Sequence, residues 1–324
     1  MRTLLGGCMV VLVVLAGVLA HAVEPLVLYD DFNAAQIDAG KWVREEEGAS
    51  TEPIVQIQDN RLRLFNRSYG KTDSDQGKNE GSLYLAFANS AAVTALKATI
   101  QVNDIGAGGC PSNSQATSAF TGLGGAFFNT ATPTPGSEVH DVWAIIGMVR
   151  SSDMRAPPYV FYAISIVGHC TNADCKESTW LHSRILGPVE QGEMTTLRIQ
   201  WDRDNHRFIF QRDDDLEVFA PYTLSDIAPP GRQRKGLRIG YEAANCTATP
   251  RPVAFIEAFF DDVLVNEAAA CCSPVMWRGT PWPSMPPQGN CCGRSAPVQV
   301  CVVHLSATPW AAGSTSPCRR DGAG

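Results

Sequence analysis

Leu197-Arg198-Ile199-Gln200-Trp201-Asp202-Arg203-Asp204-Asn205-His206-Arg207-Phe208-Ile209-Phe210 decides the fold class. Side chains alternate along an extended chain, so Leu197, Ile199 and Trp201 share one face, and Phe208 and Phe210 share one face of the return segment. Asp and Asn between the two segments suit a turn, because their short side chains bond nearby backbone and tolerate unusual dihedrals. The stretch reads as a β-hairpin. The same period of two recurs outward in both directions. Val55, Ile57, Leu62 and Leu64 flank Asp59-Asn60 as strand, turn and strand. Ser82 to Ala88, Val93 to Val102, Tyr159 to Val167, Leu237 to Tyr241 and Val253 to Val265 are further strand candidates. Val142 to Val149 is nearly continuous and apolar, which predicts a strand covered on both faces. Gly106 to Gly125 is rich in small residues and reads as a long loop with a short strand at its end, and Thr130 to Gly136 as a Pro/Thr turn region. No long amphipathic helix interrupts the series. Short strands separated by turn residues predict an all-β sandwich or barrel.

Matched acidic-aromatic segments stand at the two ends of this region. Tyr29-Asp30-Asp31-Phe32, with Ile37-Asp38 and Lys41-Trp42, opens it, and Phe259-Phe260-Asp261-Asp262-Val263 closes it. They predict a single sandwich whose first and last strands lie close together.

Composition divides the chain in three. Residues 1–22 read as a secretory signal peptide: Met1-Arg2 is positive, Met9 to Leu19 is almost wholly apolar, and Ala20-His21-Ala22 supplies small residues for cleavage. The apolar run is short for a membrane span, which takes about 20 residues, so no integral membrane segment is expected after cleavage. Residues 23–267 form the β domain, long enough for one sandwich. Residues 268–324 are rich in Cys and Pro, contain no lysine and carry the doublets Cys271-Cys272 and Cys291-Cys292. This tail reads as disordered or as non-native, out-of-frame sequence, with a small disulfide module as the other reading. Export to the periplasm or beyond makes disulfides possible. Cys170 and Cys175 predict a local bridge, which leaves Cys110 with Cys246, although four cysteines allow three pairings. The net charge of −7 and the absence of a basic cluster exclude a nucleic-acid footprint.

Residues Tyr29 to Trp42, the Leu197 to Phe210 hairpin, Gly240-Tyr241 and Phe259 to Val265 resemble the concanavalin A-like lectin/glucanase superfamily, including its laminin-G-like domains. The resemblance implies a jelly-roll of two packed antiparallel sheets. The superfamily includes lectins, glycoside hydrolases, polysaccharide lyases and protein-binding modules, so fold alone does not choose a function.

The hydrolases of that superfamily carry a Glu-x-Asp-x-x-Glu or Glu-x-Asp-x-Glu run, because a retaining glycosidase needs two carboxylates about 5–5.5 Å apart. No such run occurs here, which argues against a typical hydrolase. The nearest feature is Glu138-Val139-His140-Asp141-Val142-Trp143, where Glu138 and His140 would share a strand face and could do acid-base work. Such a pair is more often a solvated strand end. Asp202, Asp204 and Asn205, and Asp213 to Asp215, offer oxygen ligands of the kind calcium takes, and the superfamily resemblance adds calcium as a possible cofactor; the same residues are ordinary turn formers. Asp31 and Asp262, if the terminal strands are adjacent, could meet and bind a cation, or equally face solvent. No histidine or cysteine spacing suggests zinc. For sugar binding, Trp143, Tyr159, Tyr162 and Trp180 lie in the central strands, with Arg150 and Arg184 as possible polar partners; such aromatics are more often core residues. These residues together predict a secreted or periplasmic, non-catalytic protein that binds carbohydrate or a surface. The alternatives are a polysaccharide hydrolase or lyase with an atypical site, and an envelope module that binds protein.

Overall fold

The computed structural model describes residues 25–48, 52–154 and 157–271. The signal-peptide and tail expectations lie outside them. Fifteen strands build the domain. They are β1 (Leu26–Asp30), β2 (Trp42–Gly48), β3 (Ile54–Gln58), β4 (Arg61–Tyr69), β5 (Lys78–Phe87), β6 (Ala95–Ala107), β7 (Ser118–Asn129) and β8 (Asp141–Ser151). There follow β9 (Val160–Cys170), β10 (Ser178–Glu190), β11 (Met194–Asp202), β12 (Arg207–Arg212), β13 (Val218–Pro221), β14 (Lys235–Ala244) and β15 (Val253–Asn266). One eight-stranded sheet runs β13-β12-β11-β6-β15-β4-β3, with β1 added beside β15; the other, seven-stranded, runs β10-β9-β8-β7-β14-β5-β2. All pairings within the sheets are antiparallel. The two sheets enclose one hydrophobic core, so the fold is a jelly-roll β-sandwich.

The hairpin that opened the reading is β11–β12, in register from Leu197↔Arg212 to Asp202↔Arg207. Its turn is a short 3-10 segment, Arg203–Asn205, followed by His206 at φ 47°. Asp59 and Asn60 both take positive φ, 53° and 56°, between β3 and β4. That is the primed turn whose twist matches paired strands.

The terminal segments meet as expected, and their acidic residues have structural work. β1 pairs with β15 from Leu26↔Asn266 to Asp30↔Val263. Asp30 accepts the Trp42 indole N–H at 2.7 Å, and Trp42 stacks on Phe32 and Phe87 with centroids 5.7 and 4.9 Å away. Asp261-Asp262 forms a bulge in β15, with Asp262 at φ 46°. Ala258 and Phe260 face the core before the bulge and Val263 and Val265 after it, so the bulge exchanges the inward parity of the strand.

The segment read mostly as loop, Gly106 to Gly125, is instead strand over much of its length. β6 continues to Ala107 and β7 begins at Ser118 in the middle of the seven-stranded sheet. Glycines hid β7 because they weaken strand propensity in general, yet Ala119, Leu123, Phe127 and Phe128 are buried in the core. Both body disulfides are formed, Cys110–Cys246 and Cys170–Cys175.

Lys235 on β14 points inward and is 2% exposed. Its Nζ donates to the Ser90 carbonyl at 2.9 Å and lies 5.0 Å from the Phe127 ring centre. Burial pushes its pKa down to about 7, against 10.5 in a free chain. Between those two values the unfolded chain holds a proton that the folded chain has shed, so this group makes stability rise with pH across that window. Lys235→Met is therefore expected to be more stable than the parent at pH 6, by on the order of 3–5 kcal/mol. The gap should narrow steadily towards pH 10 in urea denaturation.

Candidate functional site

The outward face of the seven-stranded sheet is built from two halves. Residues of β8, β9 and β10 that alternate with the core make the first. Val142, Ala144, Ile146 and Met148 are buried inward, so Trp143, Ile145, Gly147 and Val149 face out. On β9, Phe161, Ala163, Ser165 and Val167 are buried inward, which turns Tyr162, Ile164 and Ile166 outward. Trp180 and Ile185 on β10 pair with Gly168 and Ile164 and extend the same face. They are 59% and 61% exposed. Trp143 lies flat over Gly168, where a Cβ would collide with the indole. Its N–H donates to Ser178 Oγ at 3.3 Å, and its ring meets Trp180 edge to face at 5.5 Å and 78°.

The second half is charged. Outward residues of β2 and β5 bring Glu45, Glu47 and Tyr84 together, while Arg234 and Arg238 come from β14 and the residue before it. Arg232 reaches Glu45 at 3.0 Å and Glu138 at 3.3 Å, and Arg234 reaches Glu138 at 3.2 Å; both guanidiniums also donate to Glu47. Asp141, 1% exposed, positions the arginines by accepting the backbone N–H of Gly231 at 2.8 Å and Arg232 at 3.2 Å. The Arg234 and Arg238 guanidiniums lie 4.1 and 4.6 Å from the Tyr84 ring centre, and Arg238 also lies 4.7 Å from that of Phe120.

Burial raises the Glu138 carboxyl above its ordinary pKa, and the charges of Glu47 and Asp141 add to this against Arg234 and Arg232. Burial acts on Glu47 in the same direction, but its hydrogen bonds and charge contacts with Arg234 and Arg232 prevail and hold it below the usual range.

Between the halves several outward positions of β14, β7 and β8 are glycines, set among Arg238, Phe120, Ile145 and Val149. Gly236, Gly122, Gly124 and Gly147 sit where a Cβ would run into the carbonyl oxygen of the adjoining strand. These glycines present no side chain outward, and Arg238, Phe120 and Ile145 stand beside them.

The sequence-predicted residues distribute unevenly over this architecture. Trp143, Tyr162 and Trp180 share the outward face. Tyr159, 56% exposed, lies in the turn just before β9. Arg150 instead ties down the β8–β9 connection, donating to the carbonyl oxygens of Pro157 and Val160. Arg184 pairs with Ser165, whose side chain points inward, and lines a shallow edge cavity with Phe210 and Leu216. Glu138 and His140 lie in the turn before β8 rather than on a strand. Glu138 faces the arginines; the His140 ring lies 6.0 Å from that of His169.

Several of the oxygen donors considered for calcium have other partners. Asp202 accepts from Arg207 at 2.7 Å and from Asn205, while Asp204 is exposed in the same turn. Asp213 accepts the Thr196 N–H at 2.7 Å, and Asp215 pairs with Arg212. Asp31 accepts the Asn33 N–H at 3.2 Å, and Asp262 occupies the β15 bulge.

The residues that sequence reading passed over are Glu45, Glu47, Tyr84, Phe120, Arg232, Arg234 and Arg238. Their signal was present. Arg232, Arg234 and Arg238 stand at even spacing, which in an extended chain turns them to one side, and the neighbouring Lys235 obscured it by pointing the other way.

No family model and no curated protein match the chain. Among solved structures it is similar to a β-1,3-glucanase from Mycobacterium marinum, at 14% identity over 74% of this chain and 98% of that one, with a TM-score of 0.33. It is also similar to a glycoside hydrolase family 16 endo-glucanase from Bacteroides ovatus, at 13% identity over 72% and 97%, TM-score 0.37. A third is the CBM2 module of the Lactobacillus casei BL23 phage J-1 evolved Dit, at 12% identity over 75% and 96%, TM-score 0.36. At these scores the likenesses carry no argument about activity.

Arg234 is 8% exposed and bridges Glu47 and Glu138. Arg234→Met leaves those carboxylates with Arg232 alone. The expected loss is about 3–5 kcal/mol at pH 7, as for breaking a buried ion pair. A carboxylate whose folded pKa is depressed, as Glu47 is, contributes stability that disappears as pH falls through that value. The penalty measured by urea denaturation should accordingly shrink at pH 3.

Proposed function

We propose that the protein binds polysaccharide on the outward face of its seven-stranded sheet. The observation that carries this reading is the edge-to-face pair of Trp143 and Trp180, at 5.5 Å, with Trp180 more than half exposed. Aromatic rings present broad, rigid apolar surface at little cost in conformational entropy, which suits the C–H faces of sugar rings. The glycine band beside them leaves room for a chain to lie across the sheet, and the charged half supplies hydrogen-bond donors and acceptors. The disulfide loop 170–175 borders the pair, since Cys175 Sγ lies 3.4 Å from the same Ser178 hydroxyl that accepts from Trp143.

We read the site as a binding surface rather than a reaction centre because its carboxylates are committed. Glu45, Glu47 and Glu138 are each held by Arg232, Arg234 or both. A nucleophile and acid pair needs carboxyl groups free to meet a glycosidic bond. One observation favours the catalytic alternative, the raised pKa of Glu138, since a general acid works best near the operating pH. Two disulfides also suit the secreted or periplasmic setting of this reading.

The test is retention on a panel of immobilised polysaccharides, neutral β-glucans, galactans and polyuronates, with product release assayed in parallel. Trp143→Ala and Trp180→Ala are each expected to weaken retention about tenfold or more, equivalent to about 1.4 kcal/mol. Release of oligosaccharides, abolished by Glu138→Gln, would favour the catalytic alternative. Absence of retention on every polymer would remove the glycan reading.

A further inference from the structure

We propose that Arg238 is the subsite for a sugar carboxylate, so that the ligand class is an acidic polysaccharide containing uronic acid residues. This rests on the reading of the outward face as a polysaccharide site and specifies what that site selects.

Arg238 stands near the middle of the face. On β14 it lies in register between Tyr84 of β5 and Gly122 of β7. Its guanidinium is held by the Tyr84 and Phe120 rings, at 4.6 and 4.7 Å. Phe120 in turn is seated on Gly240, where a Cβ would collide with the ring. Stacking of this kind fixes the guanidinium plane and leaves its edge to act as a donor.

That edge lacks a carboxylate. The buried Nε of Arg238 has no hydrogen-bond partner, and among the described residues no carboxylate forms an ion pair with its guanidinium. The contrast with its neighbours is direct. Arg232 and Arg234, on the same face, take up the carboxylates of Glu45, Glu47 and Glu138 between them. Burial also lowers the pKa of Arg238, as it does for a cation removed from water with too little compensating charge.

The space beside the guanidinium is that of the glycine band. Gly122 faces Arg238 across the ladder, and Gly147 faces Gly122 on the next strand. Nε is enclosed, so a planar carboxylate entering here would accept two parallel N–H bonds from the terminal Nη1 and Nη2 groups, a geometry for which a guanidinium is suited and an ammonium is not. The net charge of −7 makes the specificity local, because the whole molecule repels an acidic polymer. A sulfate ester could use the same donors, so the test separates the two anions.

The experiment measures affinity of the protein for polygalacturonate, for the same polymer with its carboxyl groups reduced to alcohols, and for a sulfated galactan. The expected result is at least tenfold tighter binding of polygalacturonate than of the reduced polymer, with the sulfated galactan weaker than polygalacturonate. Arg238→Gln should abolish the preference for the acid form, and Arg238→Lys should restore only part of it. The comparison between acid and reduced polymers uses the unaltered protein, so it stands even if a variant fails to fold. Equal binding of acid and reduced polymers would overturn this inference while leaving the polysaccharide reading intact. Tighter binding of the sulfated galactan would overturn the carboxylate assignment. Failure to bind any polymer, neutral or acidic, would remove both.

Discussion

Between β5, β14, β7 and β8 the backbones approach so closely that a Cβ at Gly236, Gly122 or Gly147 would meet the carbonyl oxygen of an adjoining strand. The outward face depends on this constraint. Inward, the same strands carry Leu237, Ile239, Leu123, Ala144 and Ile146, all fully buried. They are therefore fixed by the core on one side and, at these glycines, carry no side chain on the other. A sheet of uniformly β-branched residues would have the same core and a closed outer surface.

Around that band, charge and apolar surface are kept apart. Arg232 and Arg234 gather Glu45, Glu47 and Glu138 from one strand and one turn, and Asp141 fixes the backbone from which Arg232 projects. On the other side Trp143 lies flat over Gly168 and braces Trp180. The groups that would be costly to bury alone are paired with one another, while Trp180 stays more than half exposed. Arg238 breaks the pattern, being held by rings and not by carboxylates.

The legible parts of the sequence were those where one residue pattern has one physical meaning. Alternation in Leu197–Phe210 gave the β11–β12 hairpin, and Asp59-Asn60 marked a turn in which both residues take positive φ. The acidic-aromatic ends foretold the pairing of β1 with β15, although their acids proved to be an indole acceptor and a strand bulge. β7 was obscured because its glycines serve close strand approach, which composition does not distinguish from a loop. The site was half legible. Trp143, Tyr162 and Trp180 could be placed by alternation, whereas Arg150 and Arg184 could not be separated from them without the bulges of β10 and the β8–β9 connection. Glu138 looked like a strand residue, and only tertiary structure brings Glu47 and Arg234 to it.

The central claim is that the outward face of the seven-stranded sheet receives the ligand. It is tested most directly by NMR chemical-shift mapping during titration with a galacturonate oligosaccharide. The account predicts that the largest shifts fall on the amides of Gly122, Gly147 and Gly236 and on the indole N–H groups of Trp143 and Trp180. Shifts gathered instead around Arg184, Phe210 and Leu216 at the sheet edge, or along the outer surface of the eight-stranded sheet, would contradict it.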